Sequence, residues 1–170
     1  MIVMKFGGTS VQDSTAISRA ADIVKNRLAL KPIVVVSALA KVTDELIAIA
    51  RAAGAGDRKA ATERSRALRE RHYTVTGELL HTAIFTQFHI ELEAEFEALD
   101  ELLRGISAVG ELTPRTTDHV AAYGELLSSK ICAAAFSAHG LKSTLVDSRE
   151  CLVTDGNHTR AVPLPQTTSR

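Results

Sequence analysis

Met1-Ile2-Val3-Met4-Lys5-Phe6-Gly7-Gly8-Thr9-Ser10-Val11-Gln12 opens the chain, and its reading decides the fold. Ile2 to Met4 is a short apolar run that predicts a buried strand. A cation, a glycine pair and two hydroxyls follow, and a helical pattern begins near Asp13. A strand, a glycine turn and a helix together aim backbone N–H groups and a positive dipole end at an anion. Glycine lets the backbone approach closely, and Lys5 offers a compact charge to a phosphate. A Gly-Gly pair after a strand is also a plain tight turn. The spacing matches neither Gly-x-Gly-x-x-Gly nor the P-loop, so the residues alone leave both readings open.

Working outward, Ile17, Ala20, Ala21, Val24 and Leu28 recur at helical spacing and predict a helix over about 14–30. Asp13 or Ser14 can cap it, and Lys31-Pro32 breaks it. Ile33-Val34-Val35-Val36 is a β-branched run that predicts a strand buried on both faces. Strand, helix, strand with short joins is a parallel βαβ unit. In such sheets ligands collect beyond the carboxyl ends of the strands. Both Gly7–Ser10 and the segment from Ser37 to Asp44 belong to that edge. The second is also readable as a plain loop in which Thr43 caps the next helix.

Leu46 to Ala53 predicts a short helix ending at Gly54-Ala55-Gly56. Two long helical patterns follow, over 57 to about 80 and 83–106. The first is basic (Arg58, Arg64, Arg66, Arg69, Arg71) and the second acidic (Glu91, Glu93, Glu95, Glu97, Asp100). The second carries an apolar stripe, Phe85, Phe88, Leu92, Phe96, Leu99, Leu103 and Ile106. An antiparallel hairpin with complementary flanks is expected, and the stripe reads as core rather than a cofactor box. Gly105 to Pro114 reads as a loop. A helix then runs from Thr116–Asp118 to about His139, closed by Gly140. Gly124 in its interior costs roughly 1 kcal/mol relative to alanine, so a neighbouring backbone or a ligand needs the space. Leu141 to Val146 reads as a third strand and Cys151 to Thr154 as a short extended piece. Residues 156–170 show no further helix or strand pattern.

A net charge of zero points to neither nucleic acid nor a membrane surface as partner. No apolar run reaches the length of a membrane span, and Met1 leads straight into the first strand without a leader, so a cytoplasmic protein is expected. Cys132 and Cys151 are too few for a disulfide framework or zinc knuckle, and the six histidines lack metal-site spacing, so no metal site is expected.

Lys5-Phe6-Gly7-Gly8-Thr9-Ser10-Val11 resembles the N-terminal signature of aspartate kinases, within the amino-acid kinase family. Three further stretches agree. Ser37-Ala38, followed after four residues by Thr43-Asp44, is similar to the family's Ser-Ala-x-x-x-x-Thr-(Asp/Asn) segment. Tyr123-Gly124-Glu125-Leu126-Leu127-Ser128 is similar to its (His/Tyr)-Gly-Glu-x-x-Ser stretch. Asp147-Ser148-Arg149 leading to Thr154-Asp155 is similar to its Asp-x-Arg-x-x-x-x-Thr-(Asp/Asn) stretch. Helices inserted after the second strand also match, here over about 57–106.

The resemblance implies an α/β fold, a three-layer αβα parallel-sheet amino-acid-kinase-like architecture, of which residues 1–170 are the N-terminal, amino-acid-substrate lobe. The family pattern continues past the last residue given, so the nucleotide-binding half is expected to be absent and the isolated chain inactive. The implied reaction transfers the γ-phosphoryl of ATP to the side-chain carboxylate of L-aspartate, the first step towards lysine, threonine and methionine. It implies Lys5 as the catalytic cation, with Lys5, Gly7, Gly8, Thr9 and Ser10 on phosphate. Ser37, Thr43 and Glu125 are implied on substrate, with Thr154 and Asp155 near the same edge. Asp147 and Arg149 read as a structural loop pair. Mg²⁺ is expected to travel with ATP. A non-catalytic module of the same fold, or a sister kinase acting on glutamate, N-acetylglutamate or a nucleotide, stand as alternatives. Half of a doubly wound sheet leaves apolar edge and face bare, so a homo-oligomer is expected.

Overall fold

The computed structural model describes residues 1–168. Strand β1 (Ile2–Phe6) and strand β2 (Pro32–Val36) pair in parallel, with Met4 opposite Val34 and Phe6 opposite Val36. Helix α1 (Ser14–Lys25) joins them and is capped by Asp13, whose carboxylate accepts from the Ala16 N–H at 2.8 Å. The expected helix to residue 30 stops at Lys25. Leu28–Leu30 tightens into a 3-10 turn, and Lys31 takes a left-handed φ of 48° before Pro32.

Helix α2 (Val42–Gly54) lies at the centre. Leu46, Ile49, Ala50 and Ala53 are fully buried against α3 (Arg58–Leu79), α4 (Thr82–Val109) and α5 (Pro114–Ala138). The α3–α4 hairpin forms as the charge pattern predicts. Arg69 reaches Glu93 at 2.7 Å and Asp100 at 2.5 Å, and Ser65 donates to Asp100 at 2.8 Å. The apolar stripe of α4 turns inward, with Leu92, Phe96 and Leu99 fully buried.

Further expectations are corrected. Helix α4 passes through Gly105 instead of ending there, because Ile106 still packs in the core, and it stops at Gly110 with φ 73°. Helix α5 starts at Pro114, capped by Thr113, a Thr-Pro start signal that the Thr116–Asp118 cluster obscured. The run 141–146 forms no strand. Leu141 is buried at the turn after α5, but 142–146 lie exposed, and among the described residues no strand offers them a ladder. The tail also holds more structure than its pattern suggested. Thr154 bridges Pro163, Leu164 N–H donates to Val153, and Pro165–Thr168 forms one helical turn, α6.

Strand β2, expected to be buried on both faces, is covered on one face only. Pro32, Val34 and Val36, with Ile2, Met4 and Phe6, point towards the helices. Val3, Ile33 and Val35 remain 67%, 49% and 44% exposed, since among the described residues every covering helix packs on the opposite face.

Candidate functional site

The parallel register brings Phe6 and Val36 level, so both strands end together and their following loops lie side by side. The Ser37 N–H continues the pairing by donating to the Phe6 carbonyl at 3.0 Å. Beyond it the first loop tightens into a 3-10 turn over Gly8–Ser10, with Ser10 N–H on Gly7 O at 2.8 Å and Val11 N–H on Gly8 O at 3.3 Å. Fully buried Val11 anchors the far side of this turn.

Gly8 is where the two loops touch. A Cβ there would sit 3.1 Å from the Ala38 carbonyl oxygen and 3.4 Å from both Cα and N of Ala40. Any larger residue would push the loops apart. Lys5 reaches back over the turn, its Nζ 3.8 Å from the place a Gly7 Cβ would occupy. Lys5 is exposed and forms no ion pair among the described residues. Among those residues the N–H groups of Gly7 and Gly8 also donate to no protein acceptor. A free ammonium beside free backbone donors can hold phosphoryl oxygens.

The second loop, Ser37–Lys41, is fixed from α5. Ser128 Oγ donates to the Ser37 carbonyl at 2.7 Å, and Glu125 Oε1 accepts from the Ala38 N–H at 3.3 Å. Gly124 makes this possible. A Cβ on it would lie 2.8 Å from the Ala38 Cβ, 3.4 Å from Leu46 and 3.5 Å from Val42. The mid-helix glycine therefore serves close packing of the loop and α2, not a ligand. Lys41, at φ 66°, rather than Thr43, is the N-cap of α2. Thr43 sits in the first turn with its hydroxyl unpartnered among the described residues, next to the same edge.

The structure thus gathers Lys5, Gly7, Gly8, Thr9 and Ser10 with Ser37, Thr43 and Glu125 around one sheet edge. It gives Thr154 and Asp155 local bonds instead. Thr154 Oγ1 donates to the Asp155 carbonyl, and the Asp155 carboxylate accepts from Val162 N–H at 3.0 Å and Asn157 Nδ2 at 2.8 Å. The backbone bonds from the Val162 and Asn157 N–H groups hold the Asp155 carboxyl below its usual range. Asp147 and Arg149 pair at 2.5 Å, as a loop closure should.

Sequence reasoning missed Arg71. From α3 its guanidinium donates to the Ala40 carbonyl at 2.9 Å and to the Gln12 carbonyl at 3.3 Å. Within a run of arginines nothing marked this one as reaching backbone. Among the described residues no group of three or more His, Cys, Asp or Glu side chains could hold a metal. No helix among them is long and apolar enough to cross a membrane.

The pattern of the amino acid kinase family matches residues 1–164. Aspartokinase 1, chloroplastic, of Arabidopsis thaliana is 32% identical over 151 residues, covering 87% of this chain and 25% of that protein. The structure of Escherichia coli aspartokinase III in complex with lysine and aspartate superposes with a TM-score of 0.86 at 27% identity. It covers 99% of this chain and 36% of its own. The same enzyme with aspartate and ADP gives 0.85 at 26% identity, again covering 99% of this chain and 36% of that one. The chain therefore spans between a quarter and about a third of these relatives. A family match across nearly every residue, on a fold whose two strand ends carry the matched loops, shows that the chain belongs to the amino acid kinase family.

Proposed function

We propose that this chain forms the acceptor side of an aspartate kinase, which moves the γ-phosphoryl of ATP onto the side-chain carboxylate of L-aspartate. One observation carries the reading: an unpaired Lys5 ammonium stands beside Gly7, at a turn whose Gly7 and Gly8 amides have no protein acceptor among the described residues, one loop away from the Glu125 carboxylate. A carboxylate is already nucleophilic at neutral pH, so the reaction needs alignment and charge neutralisation rather than a base. Lys5, the glycine amides and the Thr9 and Ser10 hydroxyls suit the phosphoryl oxygens. Glu125 suits the substrate ammonium, with Ser37 and Thr43 beside it. Aspartokinases solved with aspartate and with ADP support this acceptor and donor pair.

Residues 1–170 act here as the amino-acid lobe, with the helical excursion as its brace and the nucleotide held from outside these residues. Mg²⁺ arrives with ATP, since the donor groups at this edge are cationic or neutral apart from one carboxylate. The bare sheet face at Val3, Ile33 and Val35 favours self-association of the chain, and the enzyme works early in amino-acid biosynthesis in a soluble compartment. Calorimetric titration of the chain with L-aspartate tests the reading. L-aspartate should bind in preference to L-glutamate and N-acetyl-L-glutamate, about ten-fold more weakly in Glu125→Gln. A coupled assay for ADP release should find no turnover by the chain alone. Equal binding of all three acceptors, or an unchanged Glu125→Gln, overturns the assignment.

A further inference from the structure

We infer that Arg71 is a positioning residue that holds the two ligand-side loops at a fixed separation, an inference that rests on the acceptor-site reading above. The two loops leave different strands and are separated in sequence by the whole of α1 and β2. Little of their own bonding joins them: the Ser37 to Phe6 pairing lies at their root, and Gly8 only touches Ala38 and Ala40. The Arg71 fork spans the gap farther out, with one nitrogen on Ala40 O at 2.9 Å and another on Gln12 O at 3.3 Å. A rigid planar guanidinium suits two carbonyls at once, which a lysine ammonium on a flexible stem cannot match.

The mounting is equally specific. Arg71 projects from α3, which also bonds the flanking helices directly. Glu78 accepts from Ser14 of α1 at 2.5 Å, and Arg64 donates to Glu45 of α2 at 2.8 Å. Helix α3 thereby grips the first turn of each helix that follows a loop, and Arg71 lies between those grips. Its partners are carbonyls, not carboxylates, so its charge is not neutralised by an ion pair among the described residues. A positive potential is left beside a site proposed to gather phosphate and carboxylate. The helical excursion would then set the distance between the phosphoryl-side loop and the acceptor-side loop.

Amide hydrogen exchange of the full chain tests this. Val11 and Val42 report the two loops, since both are fully buried and bond to Gly8 O and Leu39 O. In Arg71→Ala both amides should exchange about ten-fold faster, the scale of one charge-assisted hydrogen bond. The buried amides of α5 around Leu127 should keep their rates. Arg66→Ala, which removes only an exposed pairing with Glu70 on the same helix, should leave both reporters unchanged. Arg71→Lys should restore protection at one loop and not the other. Faster exchange at only one loop in Arg71→Ala, or an equal rise throughout α5, overturns the inference, as does full rescue by lysine. Calorimetry adds a second arm, in which L-aspartate should bind about ten-fold more weakly to Arg71→Ala. Absence of L-aspartate binding by the unsubstituted chain refutes the acceptor reading alone, and the exchange arm still decides the role of Arg71.

Discussion

Replacing Gly124 with alanine separates two effects that usually arrive together. Alanine is favoured over glycine in a helix interior by roughly 1 kcal/mol. At Gly124 the new methyl would sit 2.8 Å from the Ala38 Cβ, with Leu46 Cδ1 and Val42 Cγ1 at 3.4 and 3.5 Å. Ala38 is 4% exposed and its methyl is fixed to a loop backbone, so it cannot swing aside. Overpacking of this kind typically costs about 1–3 kcal/mol. The net expectation is a loss of about 1 kcal/mol, or roughly 2–4 °C in Tm for a chain of this size. Gly105 supplies the reference. It lies inside α4 with nothing within 4 Å of its would-be Cβ and no positive φ, so Gly105→Ala should gain roughly 1 kcal/mol. Urea unfolding of the two variants beside the unsubstituted chain measures the difference, expected at about 2 kcal/mol. The displaced Ala38 would also pull its N–H from Glu125, so Gly124→Ala should bind L-aspartate more weakly while Gly105→Ala does not. If Gly124→Ala proves as stable as Gly105→Ala, the packing argument is wrong.

Three further outcomes are expected. Lys5→Met should leave thermal stability within about 0.5 kcal/mol, because the side chain is exposed and unpaired, yet weaken pyrophosphate binding about ten-fold or more in a calorimetric titration; unaltered pyrophosphate binding would remove Lys5 from the site. Burial pushes the His72 imidazole down from 6.5 to about 4, so between those values the unfolded chain binds a proton that the folded chain does not. Stability should therefore fall by roughly 3 kcal/mol as pH drops from about 6.5 to 4, and His72→Gln should flatten that slope in pH-dependent urea melts. Burial raises the Cys132 thiol to about 12, whereas Cys151 is exposed, so a thiol reagent should label one cysteine in the folded chain and both after unfolding.

The signals that were legible in the sequence were local ones. The β-branched run, the glycine turn and the steps of three and four along α4 each follow from neighbours within a few residues. They correctly gave the parallel pair, the turn and the core stripe. The family resemblance singled out Ser37, Thr43 and Glu125; in the fold Glu125 accepts from the Ala38 N–H beside Ser37, and Thr43 lies in the first turn of α2. Three of the gaps share a cause. Residues 141–146 have strand composition, but a strand exists only where a partner strand accepts its backbone bonds, and composition is blind to that partner. The reason for Gly124 depended on Ala38, 86 positions earlier, and the role of Arg71 on two carbonyls in separate loops. Long-range backbone contacts of this kind leave no periodic trace.

The Ser37 carbonyl, which accepts from the Ser128 hydroxyl, also marks where the two strands part. Had the parallel ladder continued beyond the Ser37 to Phe6 bond, its next rung would have joined the Gly8 N–H to that same carbonyl. That rung is not formed among the described residues, although the Ser128 bond at 2.7 Å occupies only one of the two lone pairs of the carbonyl. The Gly8 donor that a further rung would have used therefore stays open at the sheet edge, where the proposed reading puts phosphoryl oxygens.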